Sequence, residues 1–145
     1  MRYIQGVPRS QVMLLPESVE DYVGRENPAR VIEAFVDGLD LAQLGWPQVD
    51  EGLPGARSYD PKALLKLFVY GYLNRLRSSR ELEKAAYRNL EVIWLLGRLT
   101  PDHWTINAFR RTHRKRFQGI FASSICSAAD WSFSARSWWR WTGRS

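Results

Sequence analysis

Five cations crowd into seven positions of this chain: Arg110, Arg111, Arg114, Lys115 and Arg116. Guanidinium and ammonium groups at that density do one kind of chemistry well, which is to neutralise phosphates and release the counterions held by a polyanion. Thr105 and Asn107 lie just ahead of them and offer a hydroxyl and an amide suited to a base edge or a backbone oxygen. A second group, Arg75, Arg77 and Arg80, flanks the Ser78–Ser79 pair and is a further contact patch, although a solvated surface is the plainer reading there. Catalytic chemistry has little to build on. His103 follows Asp102, but the pair has neither a third partner nor a nucleophile signature, so it assembles no acid–base reaction. A single Cys126 excludes an internal disulfide, and His103 and His113 beside it make no zinc-ligand spacing. The acidic residues are too scattered to hold a metal. The expectation is a binding surface with no catalytic, cofactor or metal residue.

The elements that must position these residues read as helices. Thr105 is placed to cap a helix from Ile106 to Phe117, in which Ile106, Phe109 and His113 share one side and the cations form neighbouring rows. Repulsion among the cations would destabilise such a helix alone by a few tenths of a kcal/mol per close pair, so an anion should compensate. Asp60 and Pro61 open an earlier helix whose Leu64, Leu65, Phe68, Val69, Tyr72, Leu73 and Leu76 recur at helical spacing. Its Lys62, Lys66, Asn74 and Arg77 fall mostly opposite, toward water or an anion. Ser78 and Glu81 form a capping-box pattern ahead of a helix from Arg80 to Tyr87. Asn89 then caps a short apolar turn, Leu90 to Leu96, closed by Gly97. Trp94, Trp104, Tyr70 and Tyr72 are read as packing residues.

Further upstream, Asn27 and Pro28 start a helix to Asp37 that buries Val31, Ile32, Phe35 and Val36. A short amphipathic piece, Val19 to Val23, precedes it, after a loosely ordered start. Between Pro47 and Tyr59, Pro and Gly cluster into a linker. Alternating runs of strand character are absent, so the fold class is all-α.

Composition sets outer bounds. The 145 residues are 45% hydrophobic and 25% charged, an ordinary soluble make-up long enough for one modest core. No run is apolar enough for a membrane span and the start is not a secretory signal, so a cytoplasmic location is expected. Charge is lopsided: residues 1–50 carry four basic against eight acidic side chains, and the rest 17 against seven, for a net −4 and +10. A nucleic-acid partner for the second part accounts for this, and a merely solvated surface is the alternative.

The segments LLKLFVYGYLNRLRSSRELEKAAYRN, WLLGRLTPDH and TINAFRR, with the lead LLPESVEDYVGRENPARVIEAFVDGLDL, resemble the N-terminal domain of bacterial insertion-sequence transposases of the DDE superfamily, the InsH-like group. The likeness covers about Met13 to Phe117. It implies a helical region that recognises or positions the element's ends, ahead of a separate catalytic domain whose three carboxylates hold two divalent metals.

After Phe117 the likeness stops, and four of the seven tryptophans fall in the last fifteen residues. Tryptophan has the single codon TGG and threonine codons begin AC. A forward shift of two bases therefore turns the Trp141–Thr142 junction into aspartate and the Trp138–Trp139 junction into valine. The neighbouring junctions give Val, Leu or Met, and Ala or Glu. That hidden apolar run ending in Asp resembles the family's strand before its first catalytic carboxylate.

The resulting expectation is a small helical bundle at 1–117, helix-turn-helix-like in its C-terminal part, with an irregular, out-of-frame tail at 118–145. The chain would bind double-stranded DNA at element ends without catalysing anything by itself or needing a cofactor. A self-association module or a non-functional remnant is the alternative.

Overall fold

The computed structural model describes residues 10–12, 14, 17–46 and 59–125, with side chains as far as Ile120. The Pro47–Ser58 part of the expected linker and the end of the chain after Ile125 lie outside them. Six helices follow in order: α1 (Val19–Tyr22), α2 (Pro28–Asp37), α3 (Pro61–Leu73), α4 (Ser79–Arg88), α5 (Leu90–Leu95) and α6 (His103–Ile125). The described residues contain no strand, so the chain is an all-α bundle. None of these helices is long and apolar enough to cross a membrane.

Local chemistry explains most of the starts. Asn27 Oδ1 accepts from the Ala29 amide at 2.8 Å, with Pro28 in the first turn of α2. Asp60 Oδ1 accepts from the Lys62 amide at 2.9 Å, with Pro61 behind it. The Ser78–Glu81 capping box is complete: Ser78 Oγ accepts from the Glu81 amide at 3.1 Å, and Glu81 Oε2 accepts from the Ser78 amide at 3.0 Å. Asn89 caps α5 through the amides of Glu91 and Val92. Each such cap satisfies orphan amides of a first turn and contributes about 1 kcal/mol.

The core is centred on α3. Leu64, Leu65, Leu67, Phe68, Val69 and Tyr70 are all buried, which no single helical face can contain. A helix apolar most of the way round must be covered on several sides. Here α2, α4 and α5 pack around α3, and Phe68 reaches the aromatic rings of α6. The expected single face is thereby corrected. Leu67 and Tyr70 are buried, whereas Leu73, at the helix end, is 41% exposed. On α2 the buried residues are Ala29, Ile32 and Val36, while Val31 points outward at 69% exposure.

Lys66 was expected to face water or an anion, and it faces α2 instead. Its ammonium lies 3.0 Å from Asp37 Oδ1 and 3.7 Å from Glu33 Oε1, and its side chain is 12% exposed. One glycine is dictated by close approach. A Cβ on Gly71 would meet Leu82 Cδ2 at 2.6 Å and the Leu76 carbonyl at 3.2 Å, so the buried Leu82 side chain would have to shift to admit one.

The last helix departs most from expectation. It starts at His103 rather than Ile106, because Asp102, not Thr105, provides the cap: Asp102 Oδ1 accepts from the Thr105 amide at 2.8 Å. The Thr105 hydroxyl and amide together hold the Asp102 carboxyl below its usual range. Its other end does not stop at Phe117. The helix continues to Ile125, and Ile120 is fully buried in the same core as Phe117. Residues 118–125 are therefore helical rather than irregular, and the tail expected beyond them lies outside the described residues.

Candidate nucleic-acid interface

What orients α6 is an aromatic cluster on its inner side. Trp46 lies against three α6 rings: His113, stacked at 4.3 Å and 20°, Phe109 at 5.4 Å and Phe117 edge-on at 5.7 Å. Phe68 of α3 adds a second platform, 6.0 Å from Phe109 and 5.1 Å from Phe117. These spacings are those at which aromatic pairs attract. With Ile106 and Ile120 also buried, the inner face of α6 is settled along most of its length.

The outer face follows from helical geometry. At roughly 100° per residue, Trp104, Ala108, Arg111, Lys115 and Gln118 fall along the line opposite the buried side, with Asn107 and Arg114 beside them. Arg111, Arg114 and Lys115 are exposed. Among the described residues, none of the five α6 cations pairs with a carboxylate. The anion that their mutual repulsion calls for is not supplied from within the described fold.

Arg110 and Arg116 sit lower on the flanks and are half-buried. Arg110 Nη2 donates to Asn107 Oδ1 at 2.9 Å, so the oxygen of Asn107 is engaged within the helix. Burial, with the charge of Arg111 adding to it, lowers the pKa of Arg110. Arg116 Nη1 lies 2.8 Å from His113 Nδ1. A guanidinium only donates, so Nδ1 accepts and the imidazole is neutral. Burial first, and then the charge of Arg116, lowers the pKa of His113.

Arg75, Arg77 and Arg80 are exposed where α3 meets α4. The fold keeps Arg75 and Arg77 on that turn rather than bringing them onto α6. Arg75 has a positive φ of 59°, an unusual backbone for a residue with a Cβ. Arg80 belongs instead to the outer side of α4, which packs against α6 and also carries exposed Lys84, Tyr87 and Arg88. Those three were missed. Their spacing opposite Leu82 and Ala86 is the signal that would have found them.

His103 is tied to α4, its Nδ1 donating to Glu83 Oε2 at 3.0 Å. Trp94 packs as expected: the guanidinium of Arg30 lies over its ring at 4.9 Å, and its Nε1 donates to Glu20. Trp104, expected to pack, is instead 72% exposed. An open groove of about 680 Å³ between Tyr22, Lys84, Arg88 and Leu90 mixes both charges, with Glu81 and Glu91 also in its lining. No group of three His, Cys, Asp or Glu among the described residues could hold a metal.

These features define a class: a small all-α bundle that presents one polycationic helix face, braced from behind by aromatic packing. A model of the Transposase domain (DUF772) family matches residues 17–112, about two thirds of the chain, and the protein belongs to that family. The family's description links the chain to transposition. Neither curated proteins nor solved structures show a match to it.

Proposed function

We propose that this domain binds double-stranded DNA, the ends of an insertion sequence, through the outer face of α6, as the N-terminal part of a DDE-superfamily, InsH-like transposase. The observation carrying this reading is that Arg111, Arg114 and Lys115 project from one exposed helix face with no carboxylate partner among the described residues. Phosphates are the anions that fit a row of this kind. In a helix-turn-helix arrangement, α6 would act as the reading helix, with Thr105 and Asn107 near its start and Arg110 and Arg116 stiffening its flanks. Arg75, Arg77 and Arg80 would add backbone contacts from the side.

Strand cleavage belongs to a separate catalytic domain in this reading, and the chain does not cut DNA alone. The codon pattern around Trp138 to Thr142 supports a frame change ahead of that domain, and sequencing the gene downstream of Trp141 tests it. A cytoplasmic location accompanies these roles.

Titration of the purified chain with element-end DNA over a series of salt concentrations tests the main reading. Affinity should fall linearly on a log–log plot, and binding indifferent to salt overturns it. Self-association is the second reading, favoured by apolar side chains left outward on other elements, Val31 of α2 and Tyr87 of α4. Sedimentation without DNA separates the two.

A further inference from the structure

Among the described side chains of α6 the most exposed aromatic is Trp104, and it shares the line of Arg111 and Lys115. Tryptophan is seldom left in water, because its indole is the largest apolar surface a side chain can bury. This one is 72% exposed. It is also braced. The His103 ring lies 5.4 Å from the indole at 37°, and His103 is itself held to α4 by Glu83 at 3.0 Å.

From Trp104 to Arg111 the helix rises about 10.5 Å, close to three base steps along one strand. An indole on that line is therefore at the right spacing to meet a base while the cations hold phosphates farther along. Stacked bases inside a duplex offer only their edges, and the flat face of an indole fits none of them. It fits the face of a base that has left the stack.

We propose that Trp104 is a stacking platform for an unstacked base, so that the preferred ligand of this surface is duplex DNA ending in, or interrupted by, an unpaired base. The inference rests on the DNA-binding reading of α6 and narrows its substrate. A protein partner is the poorer fit, because the outward neighbours of Trp104 along α6 are Ala108, Arg111 and Lys115 rather than an apolar patch. Alternation of an aromatic ring with cations is how single strands are held without regard to sequence.

The test compares two probes with the 145-residue chain: a blunt duplex, and the same duplex with a short single-stranded end. The unaltered chain should bind the second about fivefold more tightly, the low end of what one stacked base contributes. Trp104→Ala should erase that preference. Trp104→Phe, which keeps a π face, should retain most of the preference, and the far-ultraviolet spectrum should be the same for all three.

Equal binding of both probes by the unaltered chain, or a preference that survives Trp104→Ala, overturns the stacking role while the DNA reading stands. Binding of neither probe overturns the DNA reading and the stacking role with it. Sedimentation of each variant adds one more outcome: loss of self-association in Trp104→Ala, with both probes bound as before, makes the indole a protein contact instead.

Discussion

His113 lies flat on Trp46, their ring centroids 4.3 Å apart and their planes 20° apart, with Nδ1 accepting from Arg116. That stack joins the loop after α2 to the middle of α6 and fixes which side of α6 can face out. The Arg116 contact beside it requires a neutral imidazole, because a proton on Nδ1 would face a guanidinium at 2.8 Å.

Stability should therefore decline on the acid side of neutrality. Burial, then the Arg116 charge, lowers the pKa of His113 in the folded chain. The unfolded chain takes up this proton in the ordinary histidine range, about 6.5. Between the two values the unfolded state binds more protons, so stability rises with pH. It is fully present above the unfolded value, is lost as pH falls through it, and levels off below the folded value. Thermal melts between pH 8 and pH 5 should show the decline, and His113→Gln should flatten that part of the profile.

Gly71→Ala should destabilise the bundle by about 1–3 kcal/mol, the usual cost of overpacking. The new methyl would press on Leu82 Cδ2 at 2.6 Å. Leu82→Ala alone should also destabilise, by about 2–5 kcal/mol. Combining them should cost less than the sum, since the second change removes what the first collides with. Urea titrations of the four proteins complete the cycle, and strict additivity would show that the two helices have room to part.

Asn89 serves two elements at once, capping α5 through its oxygen and donating from Nδ2 to the Tyr70 hydroxyl at 2.8 Å. Asn89→Ala should cost about 2 kcal/mol, one part for the cap and one for the hydrogen bond. Asn89→Ser should recover most of the cap without reaching Tyr70. Denaturation midpoints ordered native, Ser, Ala are the expected result.

Arg111→Ala and Lys115→Ala should each weaken DNA binding and reduce the slope of log affinity against log salt by about one. Arg110→Ala should act partly through structure, because that side chain is half-buried and bonded to Asn107. Its loss should lower thermal stability as well as affinity, whereas the two exposed residues should leave the melting temperature unchanged. Equal stability losses at all three positions would place Arg111 and Lys115 inside the fold.

Local chemistry determined much of this protein before any packing was known. Asn27 with Pro28, Asp60 with Pro61, and Ser78 with Glu81 satisfy amides within one turn, so short spans of sequence suffice to start α2, α3 and α4. The all-α character and the cationic stretch from Arg110 to Arg116 were equally legible, since periodicity and charge are properties of neighbours in the chain. Tertiary structure alone decided the rest. Lys66 turns inward because Glu33 and Asp37 wait on α2, and Trp104 turns outward because Trp46 and Phe68 claim the opposite side of α6. Ile120 carries the last helix past Phe117 because the core has room for it. Each outcome depends on a residue far away in sequence, and spacing within a helix holds no record of what another helix will cover.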